Sequence, residues 1–553
     1  MPGSHALIRL GQRASQVLRK VWFASPSPHP DERLSVSLKL IACTVLVLFT
    51  AGCGPAVISD SAQFSQAPAT IAPTPSPTTP SSEPVVMVST QIVSTASASV
   101  PVSEPVAVIE AMPIPTPAGP PFSYHVIEEG ENLSYISWLY DTPLEELVAL
   151  NQLAGPDAII QTGQSLRIPL RLEDTSPRHM LLPDSEVVYS PAYVGFNLQE
   201  FIESKGGYLV GYTEYVDGQI LTGAEIVERV AQQFSVGPRL LLALLEHYGG
   251  WVTNPYPTAE AINRMLGPQN PRGSSLYLAL GWTANRINAG YYGYKRDGFW
   301  VFSLADRQRV VTPEGLNAGT VGVQNILALH SNQETWTKEL EPDGLLADYR
   351  ALFGDPLAHS IEPLVPKSLV QPPLSLPWAK GKGFYITSGP HPAYADGSAW
   401  AAIDFGPPDV LGNCYYSAEP NTAAADGVIV VARHGAVELD LDGDGNIQTG
   451  WVLQYLHVVL DADRPVQVGQ RVKAGDIIGY ASCEGGLANS SHLHFSRRYN
   501  GEWMDAGSPV PMNLSGWVVQ PTLAAYEGSL KNGSAVREAC ECWETEKNLI
   551  VNQ

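Results

Sequence analysis

The sequence predicts a multidomain α+β protein, in which a small βααβ module and a helical middle region precede an antiparallel, all-β C-terminal domain of barrel-sandwich type. Three observations predict this arrangement. The chain has 553 residues, which is too long for one ordinary domain. Its 46 Pro and 49 Gly indicate long linkers. A helix-capping pattern opens the middle region, and short apolar runs separated by glycines fill the last third.

Residues 1–53 have the pattern of a targeting segment. Basic residues precede an apolar stretch from Leu40 to Phe49, and Thr50-Ala51-Gly52-Cys53 follows it. This pattern resembles a bacterial lipoprotein signal, which implies that Cys53 is lipidated and that the rest of the chain is exported to the outer face of the cytoplasmic membrane or the cell envelope. The stretch has about half of the roughly 20 apolar residues that a membrane span needs, so a cleaved signal is favoured over an uncleaved anchor, which stays the alternative.

Residues 54–121 contain mainly Pro, Ser, Thr, Ala and Val and almost no charge. Such a composition cannot bury a core, and its proline runs favour an extended backbone. We predict a disordered linker that holds the following modules away from the membrane.

Residues 122–170 form the βααβ module. Tyr124-His125-Val126 reads as a strand, two short helical patterns follow, and residues 163–169 read as a closing strand. The order and the residues resemble a LysM domain, whose family binds N-acetylglucosamine-containing glycans such as peptidoglycan. The resemblance places the sugar between two loops, with a purely structural spacer as the alternative. The implied glycan-binding residues are Gly130, Glu131, Asn132, Leu133, Pro156 and Ile159.

Residues 182–365 are predicted to be a helical domain. Thr222 and Glu225 have capping-box spacing before an amphipathic pattern, and Pro238 opens a more apolar helix. This helix pair resembles the start of lysozyme-like lytic transglycosylases, whose catalytic Glu would fall at Tyr248. Glu246 lies two residues earlier, about 200° around the helix, so it cannot replace that residue. We therefore expect a non-catalytic domain that cradles glycan or spaces its neighbours.

The C-terminal domain, residues 376–515, contains the chemistry-bearing side chains. In Ser491-His492-Leu493-His494-Phe495 a period-2 strand puts both imidazoles on one face. His457 and Asp404 each lie in another apolar, strand-like run. Imidazole and carboxylate are the usual donors to catalytic Zn²⁺. A His-x-His pair alone is a weak signal, because a single strand histidine is more often a surface or hydrogen-bonded residue.

Residues 376 to about 505 resemble the lysostaphin/β-lytic class of zinc endopeptidases, which cut bacterial cell-wall peptides. Most of that class has its first zinc-binding His four positions before the Asp, where this chain has Trp400. The β-lytic branch has it further upstream, in a Gly-x-His segment like Gly389-Pro390-His391, 13 positions before Asp404. Further matches in the same order are Cys483-Glu484-Gly485-Gly486, His492-Leu493-His494-Phe495-Ser496 and Tyr499-Asn500-Gly501.

The resemblance implies that His391, Asp404 and His494 bind Zn²⁺ and that His457 and His492 are catalytic, flanking the open coordination position. A bound Zn²⁺ lowers the pKa of its water from about 15.7 toward roughly 7 and polarises the scissile carbonyl. A neutral His457 or His492 would then accept the proton of that water. The β-lytic likeness suggests glycine-containing peptide bonds as the target.

The rest of the domain reads as short strands. Glycines interrupt the apolar alternation from Val466 to Tyr480, as hairpins require. Asp440 to Asn446 copies the first half of a calcium-binding EF-hand loop, but Trp451 stands where the bidentate Glu belongs, so a polar hairpin tip is favoured over a Ca²⁺ site. Residues 516–553 are predicted to be a C-terminal tail.

Four cysteines belong to the exported part. Cys414 and Cys483 both lie in the C-terminal domain, and an oxidising compartment favours a disulfide between them. Cys540 and Cys542 are too close in sequence for an unstrained mutual bridge and stay unassigned.

The net charge of −22 argues against nucleic acid as a partner, because no basic tract of the exported part offsets repulsion from phosphate. The sequence therefore predicts an exported zinc endopeptidase whose partners are peptidoglycan and, through the anchor, the membrane. The alternative is a catalytically inactive, wall-bound binding or regulatory protein that uses the peptidase fold as a scaffold.

Overall fold

The computed structural model describes residues 122–127, 131–140, 142–161, 164–169, 176–272, 275–410 and 412–553. The predicted signal segment, its Cys53 and the predicted linker lie outside these residues. Within these ranges, no helix combines the length and the apolar character that crossing a bilayer requires.

The N-terminal module has the βααβ order that the sequence predicts. Its two strands pair antiparallel, with His125 opposite Leu166. Leu133, Ile136 and Leu147 from the two helices are buried against the closing strand. The elements are β1 (Phe122–Val126), α1 (Leu133–Leu139), α2 (Leu144–Leu150) and β2 (Ser165–Pro169).

The middle region is built around two adjacent helices, α5 and α6. Thr222 and Glu225 form the reciprocal capping box that starts α5, and Pro238 occupies the first turn of α6. The long helix α8 packs against both α5 and α9, around one apolar core. The helices are α3 (Asp184–Val187), α4 (Leu198–Lys205), α5 (Gly223–Phe234), α6 (Pro238–Gly249), α7 (Ala259–Asn263), α8 (Leu276–Asp297), α9 (Ala318–His330), α10 (Gln333–Glu339) and α11 (Leu345–Phe353). Short 3₁₀ helices cover Pro191–Tyr193, Tyr208–Gly211 and Pro356–His359, and the strands are β3 (Thr213–Val216), β4 (Gln219–Thr222), β5 (Val301–Ser303) and β6 (Arg309–Val311).

A long antiparallel sheet forms the C-terminal domain. Its strand order is β14-β10-β11-β12-β16-β8-β7-β22, with β17 paired to β16, and a second sheet has the order β13-β15-β9. The strands are β7 (Gly383–His391), β8 (Ala402–Gly406), β9 (Pro420–Thr422), β10 (Gly427–Arg433), β11 (Ala436–Asp440), β12 (Trp451–Leu456), β13 (Val458–Val459), β14 (Arg471–Val472), β15 (Ile477–Ala481), β16 (Leu493–Tyr499), β17 (Glu502–Trp503) and β22 (Leu549–Val551). The predicted barrel is corrected, because among the described strands the path from β14 to β22 does not close on itself.

The predicted C-terminal tail is also corrected, because residues 516–553 are folded. They supply most of a four-stranded sheet and then the last strand of the long sheet, where Ile550 is buried opposite Phe384 of β7. The chain end therefore supports the strand that ends at His391. The elements are β18 (Asn513–Leu514), β19 (Trp517–Pro521), β20 (Gly528–Asn532), β21 (Ala535–Glu538) and α12 (Thr545–Asn548).

The middle region packs against the hairpin of β16 and β17. Glu502 of β17 pairs with Lys295 and accepts a hydrogen bond from the Tyr291 hydroxyl at 3.1 Å. The Tyr292 hydroxyl accepts a hydrogen bond from the backbone N–H of Trp503 at 3.0 Å. These contacts hold the hairpin whose first strand carries His494.

A buried ion pair between Arg498 of β16 and Glu438 of β11 gives a stability prediction. Both side chains are almost completely buried. Replacing Glu438 by Ala leaves the guanidinium buried without its carboxylate, which costs about 3–5 kcal/mol. We expect the free energy of unfolding, measured by urea titration, to fall by that amount. Lys338→Ala, which removes an exposed helical ion pair, is the control and should have little effect.

Candidate metal centre

Three adjacent strands bring His391, Asp404 and His494 together. His391 is the last residue of β7, Asp404 lies in the middle of β8, and His494 is the second residue of β16. In the sheet Asp404 lies directly opposite His494, and His391 lies opposite Ala402. Side chains on one face of neighbouring strands converge, so residues far apart in sequence form one cluster.

The donor atoms of these residues form a nearly equilateral triangle. His391 Nε2 lies 3.1 Å from His494 Nδ1 and 3.3 Å from Asp404 Oδ1, and the third side is 3.1 Å. A tetrahedral zinc ion with bonds of about 2.0–2.1 Å separates its donors by about 3.3 Å. The three residues therefore fit a zinc ion and leave its fourth position open.

The environment of Asp404 supports this assignment. Its Oδ1 atom is buried and receives no hydrogen bond of acceptable geometry, although two imidazole nitrogens lie close to it. Burial opposes ionisation of the carboxyl, but the neighbouring His391 and His492 imidazoles hold the pKa of Asp404 well below its usual range. A buried carboxylate surrounded by ring nitrogens is the environment that a divalent cation needs.

The second nitrogen of each ligand imidazole is fixed by a backbone carbonyl. His391 Nδ1 lies 2.8 Å from the Gly389 oxygen, and His494 Nε2 lies 2.9 Å from the Ala393 oxygen. A carbonyl accepts only an N–H, so these contacts set the tautomers. The lone pairs on His391 Nε2 and His494 Nδ1 are thereby directed at the cluster.

Tyr526 is a site residue that the sequence did not indicate. Its ring stacks on His391 with centroids 4.7 Å apart and an interplanar angle of 18°. Its backbone also pairs with the β7 end, because Gly389 donates to the Tyr526 oxygen and Tyr526 donates to the Pro390 oxygen. No local motif marks this tyrosine, because it lies in the segment predicted to be a tail.

His457 and His492 stand side by side next to the ligand cluster. Their ring centroids are 4.6 Å apart, and His492 Nε2 lies 3.6 Å from Asp404 Oδ1. His457 Nδ1 donates to the Glu484 oxygen at 2.7 Å, and His492 Nδ1 donates to the Ser490 oxygen at 2.8 Å. The Nε2 atom of each ring is therefore the proton acceptor.

Two properties of His457 match a functional role. Burial, reinforced by the neighbouring His492 and His494, lowers the pKa of His457 to about 3, so its imidazole is neutral at pH 7. Its backbone φ is 62°, a left-handed conformation that a non-glycine residue adopts at an energetic cost and that is concentrated at functional sites. The structure thus places an uncharged imidazole at the turn between β12 and β13.

A second set of donors, His457, His492 and His494, also lies within metal-binding distance. It shares His494 with the first set but contains no carboxylate. Binding a divalent cation there would leave two positive charges uncompensated by the ligands in a buried site, and it would leave Asp404 without its cation. The set containing Asp404 is therefore the better zinc site.

The Asp440 loop gives no support for calcium. Both carboxylate oxygens of Asp440 already accept backbone N–H groups of the same loop, from Asp442, Gly443 and Gly445. Asp442 and Asp444 are exposed. The loop has the hydrogen bonds of a polar hairpin tip.

A disulfide joins Cys414 to Cys483, the pair favoured by the sequence, and a second disulfide joins Cys540 to Cys542, which the sequence left unassigned. The first bridge ties the segment from Cys483 to Ser490 to the loop before β9. That segment provides both carbonyl acceptors, Glu484 and Ser490, for the two catalytic candidates.

Replacing Cys414 and Cys483 together by Ser should therefore lower kcat while zinc content stays unchanged. Histidine misplacement by about 1 Å can cost up to roughly 10²-fold in rate. Peptide-cleavage kinetics and metal analysis of the same preparation check this expectation. Loss of zinc in the variant would show that the bridge supports the metal site instead of the two histidines.

The predicted glycan-binding residues have different environments in the structure. Gly130 lies outside the described residues, and the Leu133 side chain is buried in the module core. Asn132 caps α1 by accepting from the Tyr135 N–H, and Glu131 hydrogen-bonds His125 at 2.8 Å. Pro156 and Ile159 are exposed. Asn132 is exposed as well, so three side chains of the predicted set are accessible to a ligand.

In the middle region, Glu246 stabilises a turn. Its carboxylate accepts hydrogen bonds from the backbone N–H groups of Val252 and Thr253, both at 3.0 Å. These bonds fix the turn that follows α6. Tyr248 occupies the position where the lysozyme-like resemblance places a catalytic Glu, and its hydroxyl is buried.

Comparison with protein families identifies three segments. Residues 125–169 match the LysM domain, residues 180–365 match the N-terminal domain of LasA, and residues 415–506 match peptidase family M23. The helix pair of the middle region resembles the start of lytic transglycosylases, whereas the family that matches this region is the LasA N-terminal domain.

Among characterised proteins, Protease LasA of Pseudomonas aeruginosa strain UCBPP-PA14 is 26% identical over 301 residues, covering 51% of this chain and 67% of the relative. LasA of strain PAO1 is 25% identical over 298 residues with the same coverage. Similar solved structures include the M23 metalloprotease Pseudoalterin from the deep sea, with 19% identity, a TM-score of 0.26 and coverage of 31% of this chain and 96% of that chain. Another is the lysostaphin catalytic domain of Staphylococcus simulans, with 28% identity, a TM-score of 0.16 and coverage of 23% and 88%.

The three matched segments follow one another without overlap. The M23 match contains His457, His492 and His494. The chain therefore carries, in this order, segments that match the LysM domain, the LasA N-terminal domain and peptidase family M23, and it is similar to Protease LasA.

Proposed function

We propose that the protein is an exported zinc endopeptidase that cuts peptide bonds of bacterial peptidoglycan and is held on that substrate by its LysM domain. The observation that carries the proposal is the triangle of His391 Nε2, Asp404 Oδ1 and His494 Nδ1, with sides of 3.1–3.3 Å, next to two further imidazoles. The M23 and LysM matches support peptide hydrolysis and peptidoglycan as the substrate class.

A zinc ion bound by these residues supplies a Lewis acid that polarises a carbonyl and acidifies water. His457 and His492 do the proton chemistry. Each ring keeps its Nδ1 hydrogen on a backbone carbonyl, so the Nε2 atom of one of the two rings can accept the proton of the attacking water and later donate it to the leaving amine. The same N–H, once formed, stabilises the negative charge on the carbonyl oxygen.

Digestion of defined muropeptides tests the proposal. The zinc-loaded protein is incubated with glycine-containing wall peptides, and the products are identified by mass, with a chelated sample and a zinc-restored sample in parallel. We expect cleavage at a peptide bond that chelation stops and zinc restores. Peptides that stay intact while the protein still sediments with purified sacculi would identify a binding protein and overturn the proposal.

The contribution of the LysM domain is tested at Ile159, which is 91% exposed. Ile159→Asp puts a charge in the proposed sugar site without disturbing the module core. We expect weaker sedimentation with sacculi, by about tenfold, and unchanged kcat/KM on short soluble peptides, because tethering acts only on the polymer. Glu145→Gln, an exposed change on α2, is the control.

Export and lipid anchoring belong to the same proposal and depend on the sequence pattern around Cys53. A radiolabelled palmitate should be incorporated into the expressed chain and be lost in a Cys53→Ser variant. A wild-type chain that takes up no label would leave the uncleaved segment as the anchor.

A further inference from the structure

The middle region, which the sequence predicts to cradle glycan or to space its neighbours, contains a cleft. Its volume is about 410 Å³, within the range of ordinary ligand sites. It lies beside the 3₁₀ helix Tyr208–Gly211 and the start of β3. The lining residues are Gly207, Tyr208, Gly211, Tyr212, Thr213 and Pro255.

The two tyrosines of this cleft are fixed by packing. The ring of Tyr208 meets the buried Trp251 edge-on with centroids 4.9 Å apart, and the ring of Tyr212 lies 5.2 Å from the same indole. The Tyr212 hydroxyl donates to Glu214 Oε2 at 3.0 Å. Both rings are only partly buried. A ligand therefore meets two aromatic surfaces that are already ordered, so little entropy is lost when it binds.

The backbone around the cleft is equally constrained. Tyr208 N–H donates to the Asn254 oxygen at 3.0 Å, and Gly207 N–H donates to the Val252 oxygen at 3.1 Å. A Cβ atom on Gly207 would lie 2.2 Å from that same oxygen, so the close approach of the two segments requires glycine. The cleft is thus a fixed feature of the fold.

The chemistry of the lining selects the ligand. All six lining residues are uncharged. A phosphate would find no opposite charge, and the nearby Glu214 carboxylate is already engaged by Tyr212, Ser275 and Leu276, whereas a neutral sugar needs no opposite charge. A sugar ring presents apolar C–H groups for contact with aromatic rings and hydroxyls for contact with polar atoms, and tyrosine offers both kinds of surface.

We propose that this cleft binds a pyranose unit of a peptidoglycan glycan strand, as a second glycan site separate from the LysM domain. The assignment rests on the proposed function, which supplies the glycan-bearing substrate. A glycan contact in the middle region, in addition to LysM, would fix the wall polymer at two places on one chain. Two linked contacts bind more tightly than either alone when one polymer reaches both.

Calorimetric titration of the full exported chain with chitotetraose, a neutral N-acetylglucosamine tetramer, tests the assignment. The titrations use the Ile159→Asp background, in which LysM binding is weakened. Gly211→Phe is the main variant: Gly211 lines the cleft, and a Cβ atom there meets no atom within 4 Å, so a bulky ring can be added at the edge of the cleft without a clash at Cβ. Tyr212→Ala removes one aromatic surface, and Tyr215→Ala removes an exposed tyrosine that does not line the cleft.

We expect Gly211→Phe to abolish the binding that remains in the Ile159→Asp background and Tyr212→Ala to weaken it about two- to tenfold, as loss of one aromatic contact implies. Tyr215→Ala should bind like its parent. Equal binding by the parent and Gly211→Phe, with melting curves that show both folded, would overturn the assignment. So would tighter binding of an uncharged peptide than of the sugar.

Cleavage of a soluble, sugar-free wall peptide is measured on the same proteins. If the peptide is cleaved and Gly211→Phe does not change sugar binding, the cleft assignment is wrong and the endopeptidase proposal is unaffected. If the zinc-loaded parent does not cleave the peptide, the endopeptidase proposal is wrong. The sugar titration then still tests the cleft assignment by itself.

Discussion

Replacing His391 by Ala is expected to remove zinc and hydrolysis together. The ring supplies one corner of the donor triangle, at 3.1 and 3.3 Å from the other two atoms, and no other described histidine lies where it could substitute. Two remaining ligands do not make a catalytic zinc site. Losing the metal removes several kcal/mol of transition-state stabilisation, so kcat/KM should fall by about 10³-fold or more.

The measurement combines metal analysis with peptide-cleavage kinetics on one preparation. His359→Ala, which truncates an exposed histidine in the 3₁₀ helix Pro356–His359, is the control and should retain both zinc and activity. A folded His391→Ala protein with one zinc per chain and wild-type kinetics would refute the assigned ligand set. The charge of Asp404 makes a fold check necessary, because its carboxylate loses a partner in the variant.

Replacing His457 by Asn is expected to separate metal binding from catalysis. His457 is not in the preferred ligand triangle, so zinc content should stay at one per chain. Its neutral imidazole is the proposed proton acceptor, and loss of a well-placed general base lowers kcat by about 10²–10⁴-fold. Asn is the chosen replacement because φ is 62° at this position and Asn tolerates the left-handed region.

His492→Gln provides the matched comparison. His492 is the second imidazole of the pair, and like His457 it donates its Nδ1 hydrogen to a backbone carbonyl, here that of Ser490. If both imidazoles serve the proton transfer, both variants lose kcat and keep zinc. Loss of zinc from either variant would instead favour the second donor set of His457, His492 and His494.

Much of the candidate site could be predicted because its residues obey local rules. The period-2 pattern around His494 fixes which face of β16 carries the imidazoles, and pairing with β8 places Asp404 opposite. His391 could be found only through the β-lytic resemblance, since no local pattern links a residue 13 positions upstream to Asp404. Trp400, at the position of the usual ligand, instead has the Arg296 guanidinium 4.8 Å from its ring centroid.

The features that could not be predicted depend on contacts between distant segments. Tyr526 reaches His391 only because residues 516–553 fold back onto β7, and no short motif encodes that return. The described strands form an open path instead of the predicted barrel. Alternation and glycine spacing predict where strands occur, but they do not predict whether the first and last strands pair. The contact of the middle region with β17 likewise depends on surfaces that periodicity does not reveal.

Anomalous diffraction at the zinc absorption edge, on crystals of the zinc-loaded chain, would identify the residues that bind the metal. We expect one strong peak about 2.0–2.2 Å from His391 Nε2, Asp404 Oδ1 and His494 Nδ1. A peak among His457, His492 and His494, or zinc-loaded crystals with no peak beside Asp404, would contradict this expectation.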